Sequence, residues 1–102
     1  MMTLDDYQQR AKRTINPELT VEHRLLDATA GLAEEAGEAL AHVRKHVMQG
    51  RALDREAFTK ELGDALWCIA IAAVAIGVSR ADVARANEAK LRARYPDGFA
   101  GA

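Results

Sequence analysis

Apolar residues recur at helical spacing along four segments of the chain, and short breaks separate these segments. The first helix is predicted from about Leu4 to Ile15, with Thr3 as its N-cap and Asn16-Pro17 as the break that follows it. Thr20 caps a long second helix, which is predicted to end at Gly50 because glycine is typical of helix C-termini.

Two further helices follow the glycine. Asp54 is a good N-cap for a third helix over about Arg55–Ile76. Ser79 and Asp82 form a capping box that opens a fourth helix, which runs to about Arg94. The fold class is therefore all-α: a bundle of four main helices in a single domain over residues 1–102.

The third helix carries apolar residues on more than one face. One stripe is formed by Phe58, Leu62, Leu66, Ile69, Ala73 and Ile76. Beyond Ala65 the opposite face is apolar too, with Trp67, Ile71 and Val74. Because a helix that is apolar all round is buried all round, we expect a second chain to cover this opposite face. The protein is then a homodimer or homotetramer that oligomerises through the third helix; the alternative is enclosure by its own neighbours.

Two glycines, Gly31 and Gly37, lie inside the second helix, where each disfavours the helix by about 1 kcal/mol relative to alanine. They are either tolerated helix glycines or points where a neighbouring backbone or ligand approaches closely.

Composition excludes several classes of protein. The 102 residues are 49% hydrophobic and 28% charged, with 14 Lys+Arg against 15 Asp+Glu, which is typical of a globular protein and not of a nucleic-acid coat. The longest apolar run, 65–78, is too short to span a bilayer, and no signal peptide is evident. We expect a cytoplasmic protein. The single cysteine, Cys68, excludes a disulfide framework and is interpreted as a core residue.

Candidate chemistry comes from acidic pairs on the two long helices. Glu35 and Glu38 are spaced i, i+3 on the second helix, as are Glu61 and Asp64 on the third. Glu38 lies 12 residues before Gly50 and Glu61 lies 11 after it, so a hairpin through that loop places the pairs at similar heights.

Four carboxylates at one level repel one another unless a cation neutralises them. An all-oxygen set favours Mg²⁺, with Mn²⁺ as a substitute, and Mg²⁺ typically joins protein carboxylates to substrate phosphates. Two other interpretations stay open. The acids are either solvated helix faces, or part of a di-iron site, although neither pair has a histidine at the offset that such a site needs. His42 and His46 are spaced i, i+4, which also allows metal binding, but they are interpreted mainly as solvated or as capping the end of the second helix.

At these residues the chain resembles the MazG-like nucleoside triphosphate pyrophosphohydrolases, within the all-α NTP pyrophosphatase superfamily. The family pattern E-E-x-x-E followed by E-x-x-D stands here as Glu34-Glu35-Ala36-Gly37-Glu38 and Glu61-Leu62-Gly63-Asp64. The opening at 4–8 and the tail at 87–99 are also similar to the family, so the resemblance covers nearly the whole chain.

The resemblance implies Mg²⁺-dependent hydrolysis of an NTP or dNTP to the monophosphate and pyrophosphate, as house-cleaning of the nucleotide pool. By carry-over, the metal ligands are Glu35, Glu38, Glu61 and Asp64, and Glu34 is a further catalytic candidate that activates water or acts behind the ligands. On the fourth helix, Asn87, Lys90 and Arg94 share one face and are candidates for substrate phosphate or sugar contacts. Tyr7, Gln8 and Trp67 are candidates for contacts to the base.

Other functions remain possible at this point. One is a non-catalytic regulatory module that binds nucleotide or metal, and another is a phosphoribosyl-ATP pyrophosphatase. No Walker-type glycine loop is present, so a P-loop does not hold the phosphates. We expect a nucleoside triphosphate substrate and neither a nucleic acid nor a membrane as partner.

Overall fold

The computed structural model of the chain describes residues 1–99, which form four α-helices and no β-strand. The helices are α1 (Leu4–Lys12), α2 (Val21–Gln49), α3 (Arg55–Ala75) and α4 (Arg80–Arg94). The prediction of an all-helical class is confirmed, whereas the predicted domain boundary at residue 102 lies outside the described residues. Within 1–99 no helix alone is long and apolar enough to cross a membrane; only α3 and α4 taken together, across a 100° bend, pass that test.

The helices begin and end at the residues that chemistry favours. Thr3 and Ser79 each form a capping box, in which the cap hydroxyl accepts from a backbone N–H three residues on and the aspartate there accepts in return. Thr20 and Asp54 cap α2 and α3 in the same way through their side-chain oxygens. Gly50 ends α2 with φ of 67°, a left-handed conformation that glycine adopts without strain.

Helix α1 is shorter than the sequence predicted. It ends at Lys12, and not at Ile15, because the N–H groups of Thr14 and Ile15 bond only three residues back. The Thr14 hydroxyl also donates to the Ala11 carbonyl over 2.7 Å, which competes with continued helix.

The two long helices form a hairpin, and this hairpin is the main contact of the fold. α1 packs on α3, while α4 contacts α1 and α3 but, among the described residues, not α2. The α3–α4 junction bends by 100°. The fourth helix therefore projects away from the hairpin.

Helix α1 covers the apolar face that we expected a second chain to cover. Ile71 is buried to 3% exposure in a core with Ala11, Ala28 and Ala70, and Trp67 packs on this core. The Trp67 Nε1–H donates to the Thr14 hydroxyl over 2.7 Å. The alternative stated above, enclosure by the chain's own helices, therefore accounts for the burial of Ile71 without a second chain. Oligomerisation itself stays a prediction.

Side chains of α1 also fix the start of α4. Gln8 is buried; its amide nitrogen donates to the Val78 carbonyl and its oxygen accepts from the Arg80 N–H, each over 3.0 Å. The Arg80 guanidinium donates to the Leu66 carbonyl over 2.9 Å and lies 6.0 Å from the centre of the Tyr7 ring. Together with Trp67, the predicted base contacts Tyr7 and Gln8 are thus engaged in packing α1 against α3 and α4.

Within residues 1–99, the apolar surface without a partner lies elsewhere, mainly along α2. Its members on α2 are Val21, Leu26, Leu40, Val43, Val47 and Met48, and Leu62 lies on α3; their exposures run from 37% to 76%. The radius of gyration is 16.3 Å, against about 13 Å for a compact domain of this length. Leu62 is a member of the apolar stripe predicted on the third helix, and it is 56% exposed in the single chain.

The two glycines inside α2 differ in their surroundings, and this difference can be tested. A Cβ added at Gly31 would lie 3.0 Å from the Sγ of buried Cys68, whereas a Cβ at Gly37 would meet nothing within 4 Å. We expect Gly37→Ala to stabilise the chain by about 1 kcal/mol through helix propensity. We expect Gly31→Ala to give no such stabilisation, because the new methyl group overpacks against the Cys68 sulfur. Adding Cys68→Ala to Gly31→Ala should relieve the overpacking and recover the stabilisation. Urea unfolding checks this; equal stabilities of the two alanine variants would contradict it.

Candidate metal centre

Three carboxylates meet where α2 faces α3. Glu35 and Glu38 of α2 and Glu61 of α3 each offer one oxygen, and these oxygens lie within 4.8 Å of one another. Glu35 and Glu61 are half-buried, while Glu38 is exposed. The hairpin through Gly50 thus places the α2 pair level with Glu61, as the spacing predicted.

Two oxygens of this cluster have no hydrogen-bond donor. The Oε2 atoms of Glu35 and Glu61 are both buried and lack a partner among residues 1–99. An ionised carboxylate only accepts, so two of them in contact are satisfied either by a shared proton or by a cation. The donor set consists of oxygen atoms, which is the chemistry that hard divalent cations prefer.

The proton affinities within the cluster are strongly unequal. Close contact with the Glu61 carboxylate, followed by burial and the charges of Glu38 and Asp64, raises the pKa of Glu35 to about 7. Contact with Glu61 also raises the pKa of Glu38, whereas the neighbouring carboxyl groups of Glu38 and Glu35 lower the pKa of Glu61. Without a cation, a proton in the cluster is therefore held by Glu35 in preference to Glu61.

The other two acids of the motif lie at the edge of the cluster. Asp64 is exposed and outside the compact group, although its charge contributes to the raised pKa of Glu35. Glu34 is exposed as well, and its charge contributes to the raised pKa of Glu38. Both acids are therefore electrostatically coupled to the site without being inside it.

His42 belongs to the surroundings of the site, which the sequence argument did not anticipate. Its Nε2 lies 3.7 Å from Oε1 of Glu61, and the two side chains are only 26% and 19% exposed. The signal that could have found it is the i, i+4 spacing from Glu38, which puts both side chains on one helix face. The Nδ1 of His46, by contrast, lies 2.6 Å from the Arg51 carbonyl, which belongs to the loop after α2.

The candidates for phosphate contacts are not brought to the cluster within one chain. Asn87, Lys90 and Arg94 are exposed on α4. From Glu61 to the end of α3 the helix rises by about 21 Å, and α4 then departs across the 100° bend. A single chain thus separates its acidic cluster from its basic face.

The unequal proton affinities predict a pH dependence of stability in the metal-free protein. The pKa of Glu35 is about 7 when folded, above its ordinary value of 4.5. Between these values the folded chain binds more protons than the unfolded chain, so the free energy of unfolding falls as pH rises from 4.5 to 7. The raised pKa of Glu38 also makes the free energy of unfolding fall as pH rises. The lowered pKa of Glu61 has the opposite effect, since its contribution to the free energy of unfolding is lost as pH drops below 4.5.

Urea unfolding at pH 5, 6, 7 and 8 measures this dependence. Glu35→Gln is expected to remove most of the fall, and saturating Mg²⁺ is expected to remove it in the unaltered chain because the cation replaces the proton. A free energy of unfolding that changes identically with pH in the wild type and in Glu35→Gln would contradict the assignment.

The fold and site define a class: an all-helical protein in which a hairpin of two long helices presents a carboxylate cluster suited to a divalent cation. Comparison with known families is more specific. Residues 24–99 match the family model described as the MazG nucleotide pyrophosphohydrolase domain, and the chain therefore belongs to this family. The resemblance noted from the motif is confirmed. No curated protein and no solved structure gives a significant match.

Proposed function

We propose that the protein is a Mg²⁺-dependent nucleoside triphosphate pyrophosphohydrolase, which converts a (d)NTP and water into the (d)NMP and pyrophosphate as house-cleaning of the nucleotide pool. One observation supports this most strongly: in a family of nucleotide pyrophosphohydrolases, two carboxylates of one compact acidic cluster each have a buried oxygen without a hydrogen-bond partner among residues 1–99. Such a pair is unfavourable in the free protein and becomes favourable once a cation is bound.

The metal would be held by Glu35, Glu38 and Glu61, with Asp64 as the fourth ligand at the edge of the cluster. An all-oxygen set suits Mg²⁺, and Mn²⁺ is the natural substitute. When bound, the cation lowers the pKa of water and neutralises phosphate charge.

The remaining groups of the chain have distinct roles in the proposed reaction. The oxygen of the attacking water forms a bond to the α-phosphorus while the bond to the bridging oxygen breaks, and pyrophosphate leaves. Glu34, exposed beside the cluster, accepts the proton that the water loses. Asn87, Lys90 and Arg94 bind the phosphates and balance the charge of the leaving group.

These phosphate-binding groups come from a second copy of the chain. The α4 helix of one chain makes no contact with its own α2 among the described residues. The exposed apolar residues of α2, together with the large radius of gyration, favour a homodimer or homotetramer in which α2 is covered. Such an assembly lets α4 of one protomer reach the cluster of another.

The experiment that tests this function is a screen of NTPs and dNTPs with Mg²⁺, Mn²⁺ and no metal, read out by release of pyrophosphate. Metal-dependent release of one pyrophosphate per monophosphate is expected for at least one substrate. Release of inorganic phosphate alone would contradict cleavage between the α and β phosphates. Metal-dependent thermal stabilisation without turnover would instead indicate a binding module.

A further inference from the structure

We propose that His42 is a positioning residue for the metal centre: its Nε2–H holds Oε1 of Glu61, which leaves the buried, unpartnered Oε2 available to the metal. The inference rests on the proposed function, because it concerns how this chain prepares the same site for a divalent cation. His42 is not one of the acidic residues of the motif.

Geometry carries the proposal. The two oxygens of Glu61 have different surroundings: Oε1 lies 3.7 Å from the His42 Nε2, whereas Oε2 is buried without a donor. A small shift of either side chain closes the 3.7 Å separation to hydrogen-bond length. The role does not depend on the charge of the imidazole, since Nε2 carries a proton both in the charged ring and in one neutral tautomer.

The geometry of α2 places His42 where it can reach the Glu61 carboxylate. His42 lies one turn beyond Glu38 on α2, and Glu61 reaches across from α3. His42 is therefore held by the same helix that supplies two of the carboxylates. The three carboxylate oxygens already lie within 4.8 Å of one another, and the histidine approaches this group from the Glu61 side.

A donor behind a ligating carboxylate affects metal affinity in a characteristic way. It holds the ligand in its binding orientation before the metal arrives, so the metal does not have to order it. Removing such a partner typically weakens metal binding by about 10–100-fold. A residue that only fills space would change stability and leave the affinity of the folded chain unaltered.

The test is Mn²⁺ titration by calorimetry, without nucleotide and at pH 8, of the wild type, His42→Leu and His42→Gln. His42→Leu removes the N–H donor and leaves an apolar side chain of similar size in its place. In His42→Gln, the side-chain amide places an N–H near the position of Nε2. His23→Leu, at the exposed start of the same helix, is the matched control. Circular dichroism of each metal-free variant confirms that the helices are retained.

We expect His42→Leu to weaken Mn²⁺ binding about 10–100-fold, with His42→Gln and His23→Leu close to the wild type. Wild-type affinity in His42→Leu would overturn the positioning role while leaving the proposed function intact, and so would a His42→Gln variant as weak as His42→Leu. A wild-type chain that binds no Mn²⁺ would overturn the metal centre itself and this inference with it.

Discussion

Replacing Glu61 by glutamine is expected to lower the rate of pyrophosphate release at least about a thousand-fold. The amide cannot supply the anionic oxygen that the metal needs, and the bound metal lowers the activation barrier by several kcal/mol. The fold is expected to survive. At pH 8 the new side-chain amide can donate to Glu35 and Glu38, so the metal-free variant should be at least as stable as the wild type.

The matched control lies on the same helix. Glu56 is 82% exposed and, in the part of the chain that the structure describes, pairs only with Lys60, over 3.7 Å. Glu56→Gln should therefore retain full activity, and thermal unfolding should not distinguish it from the wild type. A Glu61→Gln enzyme within tenfold of wild-type activity would show that the cluster is not the catalytic metal centre. Glu38→Ala and Asp64→Ala are expected to abolish turnover in the same way while leaving the helices intact.

The second large effect is the return of activity when two inactive variants are combined in one oligomer. Lys90→Ala is expected to lower turnover about a hundred-fold, through loss of charge stabilisation at the phosphates. If α4 acts on the cluster of another protomer, co-expressing Lys90→Ala with Glu61→Gln creates mixed oligomers in which one site has both an intact cluster and an intact Lys90. About a quarter of the wild-type activity should return in a random mixture of dimers.

The control for this experiment uses two variants of the same cluster. Co-expression of Glu38→Gln with Glu61→Gln leaves every α2–α3 hairpin with one defective carboxylate, so no activity should return. A Lys90→Ala and Glu61→Gln mixture that remains as inactive as its components would contradict the placement of α4 at a neighbouring site.

The sequence predicted the local structure well because local chemistry determines it. Capping residues such as Thr3 and Ser79 satisfy their own helix N-termini, and Gly50 ends α2 by its own backbone preference, so these boundaries do not depend on distant contacts. The facing of Glu35 and Glu61 was likewise predictable, since a hairpin with a known loop fixes the relative height of residues counted from it.

What the sequence could not predict depends on tertiary contacts. An apolar helix face does not reveal which element covers it, and here α1 covers Ile71 in place of a second chain. Nor does spacing tell how α4 leaves α3, although the 100° bend decides whether Lys90 reaches the carboxylates of its own chain. His42 was undervalued for the same reason: its partner, Glu61, lies on a different helix.

The most direct test of the account is a crystal structure of the protein with Mn²⁺, analysed by anomalous scattering. We expect an anomalous peak between α2 and α3, with oxygens of Glu35, Glu38 and Glu61 coordinating it. A well-occupied lattice grown in Mn²⁺ with no peak there, and with the three side chains turned apart into solvent, would contradict the central claim.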